Sequence, residues 1–328
     1  MRFSRNLRHV TLAAVLSITV CGSAFAQSSG SYPSKPIRTV IIFPPGGSAD
    51  VLPRVVGQKL AERWGQPWVF ENRPGAAGQI AVDAVLRFPN DGYTLLAGTS
   101  GVIAINPSLY KKLAYDPLKD LVPVALIAKT PMALIVPAAW QGMVKDLIVQ
   151  SRAKPGQLNY GHSGNGTIMH LIGEMFKVTT GADLTPVPFK VSTEIITSLA
   201  GGQLQAGWVD FAFALIGTKG GHVRAIAVAG KDRTALLPEV PTVAESGFPG
   251  FDMQAWIGFF ARAGTSADII RRLNSEVRTV QAMPEVQERI RANGNEPWWT
   301  NPEDFQAFVR SEIVKWAAAV KQSGASAD

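Results

Sequence analysis

The residues best suited to chemistry lie in two short loops. Pro45-Gly46-Gly47-Ser48-Ala49-Asp50 follows an apolar run, and Ser163-Gly164-Asn165-Gly166-Thr167 precedes a stretch with helical spacing. Glycine lets backbone N–H groups come close to a bound group, and a helix starting directly behind aims the positive end of its dipole at the same point. Both loops therefore suit an anion. A charge-assisted hydrogen bond contributes ~1.5–3 kcal/mol and a helix terminus ~0.3–1 kcal/mol. Three or four such bonds plus closure around the ligand reach the ~8 kcal/mol of micromolar binding, with no metal and no side-chain cation. Taken singly, each loop reads equally well as a tight strand-to-helix turn. A phosphate site is a weaker reading, because neither loop continues as Gly-Lys-Ser/Thr and no dinucleotide spacing occurs.

Two other chemistries compete with this reading. Gly161-His162-Ser163-Gly164-Asn165 departs from a nucleophile elbow only in its last residue, which makes an exported serine hydrolase using Ser163, with His170 and Asp210 as partners, an alternative. The elbow needs glycine where Asn165 stands, and a His170 on the helix right behind the loop does not arrive from a distant one. His170 and Glu174 share a helix face at i, i+4, but two ligands are too few for a structural metal. Neither a catalytic residue, a metal nor a cofactor is expected.

The N-terminus bounds the compartment. Arg2, Arg5 and Arg8 precede an apolar run from Val10 to Val20 and the triplet Ala24-Phe25-Ala26, the order of a secretory signal peptide cleaved after Ala26. The run is shorter than the ~20 residues of a membrane span. A periplasmic protein is expected. Cys21, the sole cysteine, lies in this leader, so the mature chain needs a core in place of disulfides. The formal net charge of +7 falls to +4 without the three leader arginines. No run of Lys/Arg exceeds two residues, so no nucleic-acid partner is expected.

The elements that must position the loops follow an α/β alternation. Ile37 to Phe43 predicts a first strand, and Val51 to Trp64 a helix with Asp50 as N-cap and Pro53 in the first turn. Pro67 to Phe70 and Tyr93 to Ala97 predict two more strands, the latter ending in a small-residue loop, Gly98 to Gly101. Leu121 to Val136 holds two strands split at Lys129-Thr130-Pro131. Later come helices over Val144 to Arg152, Ile168 to Lys177 and Thr193 to Ala200, and strands over Leu184 to Phe189, Ala206 to Val209 and Val223 to Val228. Pro238 to Gly250 reads as a return linker, followed by a strand from Ala255 to Ala261. A capping box of Thr265 and Asp268 precedes a helix from Ile269 to Ala282. A last helix starts behind Asn301, its aromatics, Trp316 included, assigned to the core. A chain that leaves one lobe, builds another and returns is the plan of a hinged binding protein. The expected parts are a signal peptide over 1–26, lobe I over 27–129 plus 251–328, and lobe II over 130–250.

Taken as an ordered set, the motifs resemble a known family. They are Tyr32-Pro33-Ser34-Lys35-Pro36-Ile37, Pro45-Gly46-Gly47 with Asp50, Glu71-Asn72-Arg73-Pro74-Gly75-Ala76-Ala77-Gly78, Asp91-Gly92-Tyr93-Thr94-Leu95, Asn106-Pro107, Tyr115-Asp116-Pro117, Ser163 to Thr167 with His170-Leu171, Pro238-Glu239-Val240-Pro241-Thr242, Trp256-Ile257-Gly258 and Ala263-Gly264-Thr265. This set resembles the tripartite tricarboxylate transporter solute-binding receptors, also called the Bug family. The resemblance implies a two-lobed periplasmic binding protein of the type II, Venus-flytrap kind, each lobe a doubly wound sheet flanked by helices. It further implies a receptor that captures a small carboxylate (a di- or tricarboxylate, an amino acid or an aromatic acid) and delivers it to membrane transporter subunits; a monomer is expected. The ligand-binding residues carried over are Gly46, Gly47, Ser48, Ala49 and Asp50 with Ser163, Gly164, Asn165, Gly166 and Thr167. Thr99 and Ser100 are first-lobe wall candidates, and Asp210 a second-lobe one. Phe189-Lys190-Val191 departs from the family's common Tyr-Lys-Gly, Ser266 from a proline, and Gln205 from an acid. Trp208 is assigned to the core, although with Phe211 it adds aromatic bulk near the proposed cleft. A ligand-dependent partner of a membrane sensor kinase is a further alternative on the same fold.

Overall fold

Eleven strands form among the described residues, which in this computed structural model are 32–327, most of them on apolar runs. The signal-peptide expectation for 1–26 lies outside them. The strands are β1 (Ile37–Ile41), β2 (Trp68–Asn72), β3 (Thr94–Thr99), β4 (Leu121–Thr130), β5 (Met132–Pro137) and β6 (Asn159–His162), then β7 (Thr185–Pro188), β8 (Ala206–Asp210), β9 (Val223–Val228), β10 (Ala255–Arg262) and β11 (Glu296–Pro297). They form two sheets, ordered β11-β4-β10-β3-β1-β2 and β7-β6-β8-β5-β9. Setting the two-residue β11 aside, the sheets have one plan. β1 is paired in parallel by β2 and β3, as β6 is by β7 and β8, and in each sheet the antiparallel strand, β10 or β5, stands fourth.

The registers show where the chain passes between the sheets. Thr130 at the end of β4 pairs with Ala255, while Thr99 at the end of β3 pairs with Ile257. In the second sheet Met132 at the start of β5 pairs with Asp210 at the end of β8. Pro131 therefore sits where the carboxyl ends of both parallel strand sets emerge. In an open α/β sheet that is the edge where ligands bind.

One apolar cluster is continuous through both halves, from Val40 and Leu96 to Tyr160, Phe176 and Trp208. The last helix, Pro302–Ser323, contributes Phe305, Val309, Trp316 and Val320 to it, so it packs on both sheets' helices. Asn301 caps this helix through the N–H of Asp304. Trp316 and Trp208 are fully buried, in line with their core assignment.

Several boundaries differ from the sequence expectation. The first helix is Ser48–Trp64 with Gly47 as N-cap, so Asp50 lies inside its first turn and Pro53 further in than predicted. Gly46 at φ 108° and the extended Gly47 let the chain enter the helix early, and the Asp50 carboxylate accepts from Gly46 instead of capping. The small-residue loop after β3 does not form, because β3 continues to Thr99 and a helical turn starts directly behind Ser100. The capping box fails as well. Ser266 is the N-cap of Ala267–Gln281, and the Thr265 hydroxyl donates to the Arg262 carbonyl. Helices Phe211–Lys219 and Pro284–Ala292 were not anticipated. The first is apolar nearly all round and lacks an amphipathic pattern, and the second buries only Val286 and Ile290.

Glu312 is a charged group buried in this core. Its buried carboxylate accepts from the indole N–H of Trp256 on β10 at 2.9 Å and of Trp316 at 3.0 Å, and it pairs with Lys315. Replacing it by alanine strands two buried donors, each costing ~1–3 kcal/mol. Glu312→Ala is expected to lower the unfolding free energy by about 3 kcal/mol, read by guanidinium denaturation, with Glu312→Gln recovering part of the loss.

Candidate functional site

The first loop leaves β1 and opens Ser48–Trp64. Asp50 holds it in shape. Its Oδ2 accepts from the Gly46 N–H at 3.0 Å, and its Oδ1 accepts from Arg54 Nε and from Asn72 Nδ2, each at 2.8 Å. Asn72 in turn donates to the Phe43 carbonyl and accepts from Arg54 Nη2. Burial opposes ionisation of Asp50, but the bonds from Asn72, Gly46 and Arg54 outweigh it and hold its carboxyl below the ordinary value. The Ser48 hydroxyl is also engaged, accepting from Asn295 Nδ2 at 3.0 Å and donating to the Asn293 carbonyl at 3.5 Å. The amides of Gly47, Ser48 and Ala49 have no acceptor among the described residues, as the first turn of a helix leaves them.

The second loop repeats this between β6 and the helix Ile168–Thr180. Thr167 is the N-cap: its hydroxyl donates to the Gly164 carbonyl at 2.7 Å and accepts from the His170 N–H. Gly164 and Gly166 hold φ of 107° and 74°. The Gly166 N–H donates to His170 Nδ1 at 3.2 Å, which fixes that imidazole in the tautomer with its proton on Nε2. The amides of Gly164 and Asn165 have no acceptor among the described residues. Gly166 rests on Leu109 behind β3, where an added Cβ would lie 3.0 Å from the leucine side chain. The loop of the second sheet thus touches the half built on the first.

A model of the tripartite tricarboxylate transporter family receptor matches residues 52–325. The chain belongs to this family. BugT of Bordetella pertussis is 34% identical over 98% of this chain and 99% of its own length. An R. palustris protein solved with adipate is 34% identical, covers 90% of this chain and 99% of its own, and superposes with a TM-score of 0.77. MatC from Rhodopseudomonas palustris with bound malate is 29% identical, covers 88% and 100%, and superposes with a TM-score of 0.71. The fold is that of the two-lobed periplasmic binding proteins, and the chain is a solute-binding receptor of this class. No helix among the described residues is long and apolar enough to cross a membrane.

The remaining candidates of this receptor fall on the same two edges. Thr99, half-buried, ends β3, and the buried Ser100 starts the following helical turn. Asp210 ends β8 and caps Phe211–Lys219 through the Phe213 N–H. Burial raises its carboxyl to about 6 against the bonds it accepts. Ser163 does not meet a histidine: its hydroxyl lies 3.0 Å from the Met169 sulfur. Glu174 accepts from Tyr160 and Lys177, which takes up the acid of the His170 pair. Phe211 is fully buried with Trp208, whereas Val191 at the end of the β7 turn is exposed. Sequence reasoning missed Arg54, Asn293 and Asn295. Arg54 stood at i+4 from Asp50, a readable ion-pair spacing. Asn293 and Asn295 meet Ser48 only through the fold.

His162 lies behind the second loop, fully buried, its Nδ1 on the Gly164 carbonyl at 3.0 Å and its ring 4.6 Å from that of His170. Burial first, then the charge of His170, pushes its pKa down to about 4, and burial also lowers that of His170. The unfolded chain therefore binds more protons below the ordinary value of 6.5, and stability rises with pH through this window. It is complete above about 6.5 and is lost as pH falls towards 4. Asp210 works the other way, since its raised value favours the fold at low pH and loses that favour as pH rises through about 6. Melting temperatures measured from pH 7 to 4.5 are expected to fall less steeply in His162→Gln than in the wild type.

Proposed function

We propose that this receptor captures a small carboxylate between the backbone amides of Gly46 to Asp50 and of Ser163 to Thr167, in the periplasm, and passes it to membrane transporter subunits. One observation carries the reading. The same strand, glycine loop and helix start recur in equivalent places of two sheets with one strand order, both on the edge where the chain crosses. Each copy keeps amides without an acceptor among the described residues. Arg54, which pairs with Asp50 of the first loop, is spent on Asp50 and Asn72, so the attraction comes from amide donors and helix dipoles. The adipate and malate in the related structures are of the same chemical class.

The side chains divide into two roles under this proposal. Asp50, Thr167 and His170 shape the loops, and Ala49, Gly164 and Asn165 present amides. Thr99, Ser100, Asp210 and the exposed Val191 line the walls that select among carboxylates.

Calorimetry of the protein against adipate, malate, citrate, amino acids and aromatic acids is expected to give at least one micromolar complex. Binding confined to neutral sugars or metal ions would overturn the reading. Gly46→Val and Gly164→Val force a β-branched residue into φ near 107–108°, a strain of ~1–2 kcal/mol. No atom lies within 4 Å of an added Cβ at Gly46, so that variant meets no clash and is expected to lose about tenfold in affinity, with the backbone strain lowering its melting temperature by only a few degrees.

A further inference from the structure

The turn from Asn293 to Glu296 touches four parts of the molecule that closure would have to coordinate. Asn295 is fully buried. Its Oδ1 accepts from the Thr130 hydroxyl at 2.6 Å, at the last residue before the crossing. Its Nδ2 donates to the Ser48 hydroxyl at 3.0 Å, in the first glycine loop, and to the Asn293 carbonyl at 2.6 Å. Gly294, at φ 73°, lies so close to the start of helix Phe211–Lys219 that an added Cβ would stand 2.6 Å from the Ala212 nitrogen and 2.7 Å from its Cα. Glu296 pairs with Lys129 on β4, and its Oε1 accepts from the Ala235 N–H on the way back from the second sheet.

These contacts have a direction. Ser48 and Thr130 belong to the half built on the first sheet, and Ala212 and Ala235 to the half built on the second. A buried amide with every polar atom engaged has one arrangement, so a change at Ser48 is felt at Thr130. A contact of glycine backbone on helix backbone has no slack either, because packed surfaces adopt discrete states and do not deform continuously.

We infer that the Asn293–Glu296 turn is the latch of lobe closure. Asn295 is a positioning residue that ties the first anion loop to the crossing strand, and Gly294 is the seat on which the second lobe lands when closed. The inference rests on the proposed capture between lobes, but it is tested without a ligand.

The test uses the protein in a Cys21→Ser background, with spin labels on cysteines at Ile80 and Val178, exposed positions of the two halves. Pulsed electron–electron resonance then reports the interlobe distance distribution. Gly294→Ala, Asn295→Ala and the milder Thr130→Val are each expected to move population towards longer distances. Gly156→Ala serves as control, since it has a similar φ of 70° and nothing within 4 Å of the added Cβ. It is expected to leave the distribution unchanged. With adipate as probe, the latch variants are expected to raise the dissociation rate about tenfold while the association rate stays within a factor of two or three, since related complexes differ mostly in how fast they separate. Distance distributions that coincide with wild type in all three variants, even where melting temperatures fall, would overturn the latch and leave a structural role. A wild type that binds neither adipate nor malate would count against the carboxylate reading, and the ligand-free distances would still decide the latch.

Discussion

A backbone amide that is to meet a ligand oxygen must be left without a partner in the fold and yet be held still. These demands conflict, because a free donor is stable only where water reaches it, and a loop open to water is mobile. The protein answers by sending side chains to fix the neighbours of the free amides. Asp50 takes the N–H of Gly46, while those of Gly47, Ser48 and Ala49 have no acceptor among the described residues. His170 takes the N–H of Gly166, while those of Gly164 and Asn165 likewise have none among them. The two devices differ chemically. A carboxylate needs its charge balanced, hence Arg54 and Asn72, whereas a neutral imidazole needs burial to stay neutral, hence its place against His162.

Doubling the device follows from the topology. A right-handed βα unit places its helix start at the carboxyl edge of its sheet. Two sheets of one strand order, joined at that edge by β4 to β5, bring both helix starts to the same side without special loops. The apolar cluster and the last helix hold the opposite demand, a common base on which both halves rest. Glu312 belongs to that base: it joins Trp256 on β10 to Trp316 on the helix that reaches the second half's core.

The sequence showed the plan because the plan is local. Strand β9 was legible to its boundaries, since Val223 to Val228 is a compact run between glycine-rich turns, and both glycine loops announced themselves in front of helix starts. What stayed hidden was either not periodic or not local. Phe211–Lys219 gave no polar face to read, and the Asp50 cap failed because its carboxylate found Gly46, Arg54 and Asn72 together. Asn295 could not be found at all. It lies 247 positions from Ser48 and 165 from Thr130, and an Asn-Gly-Asn sequence reads as a surface turn.

Recognition through amides also bears on how selective such a receptor is. Backbone amides donate to any carboxylate alike, so they supply affinity without identity, and discrimination falls to the groups around them. Those groups are unlike in the two halves. Thr99 and Ser100 are small and polar, whereas the second edge offers the exposed Val191 and the largely buried carboxyl of Asp210. Under the proposed capture, an acid whose carboxyl burial raises to about 6 opposes a second negative charge unless it is protonated or its proton is shared. On that proposal attraction comes from dipoles that do not choose, and Asp210 adds a repulsion that does. This division keeps the grip general and leaves specificity to the few side chains around the two loops.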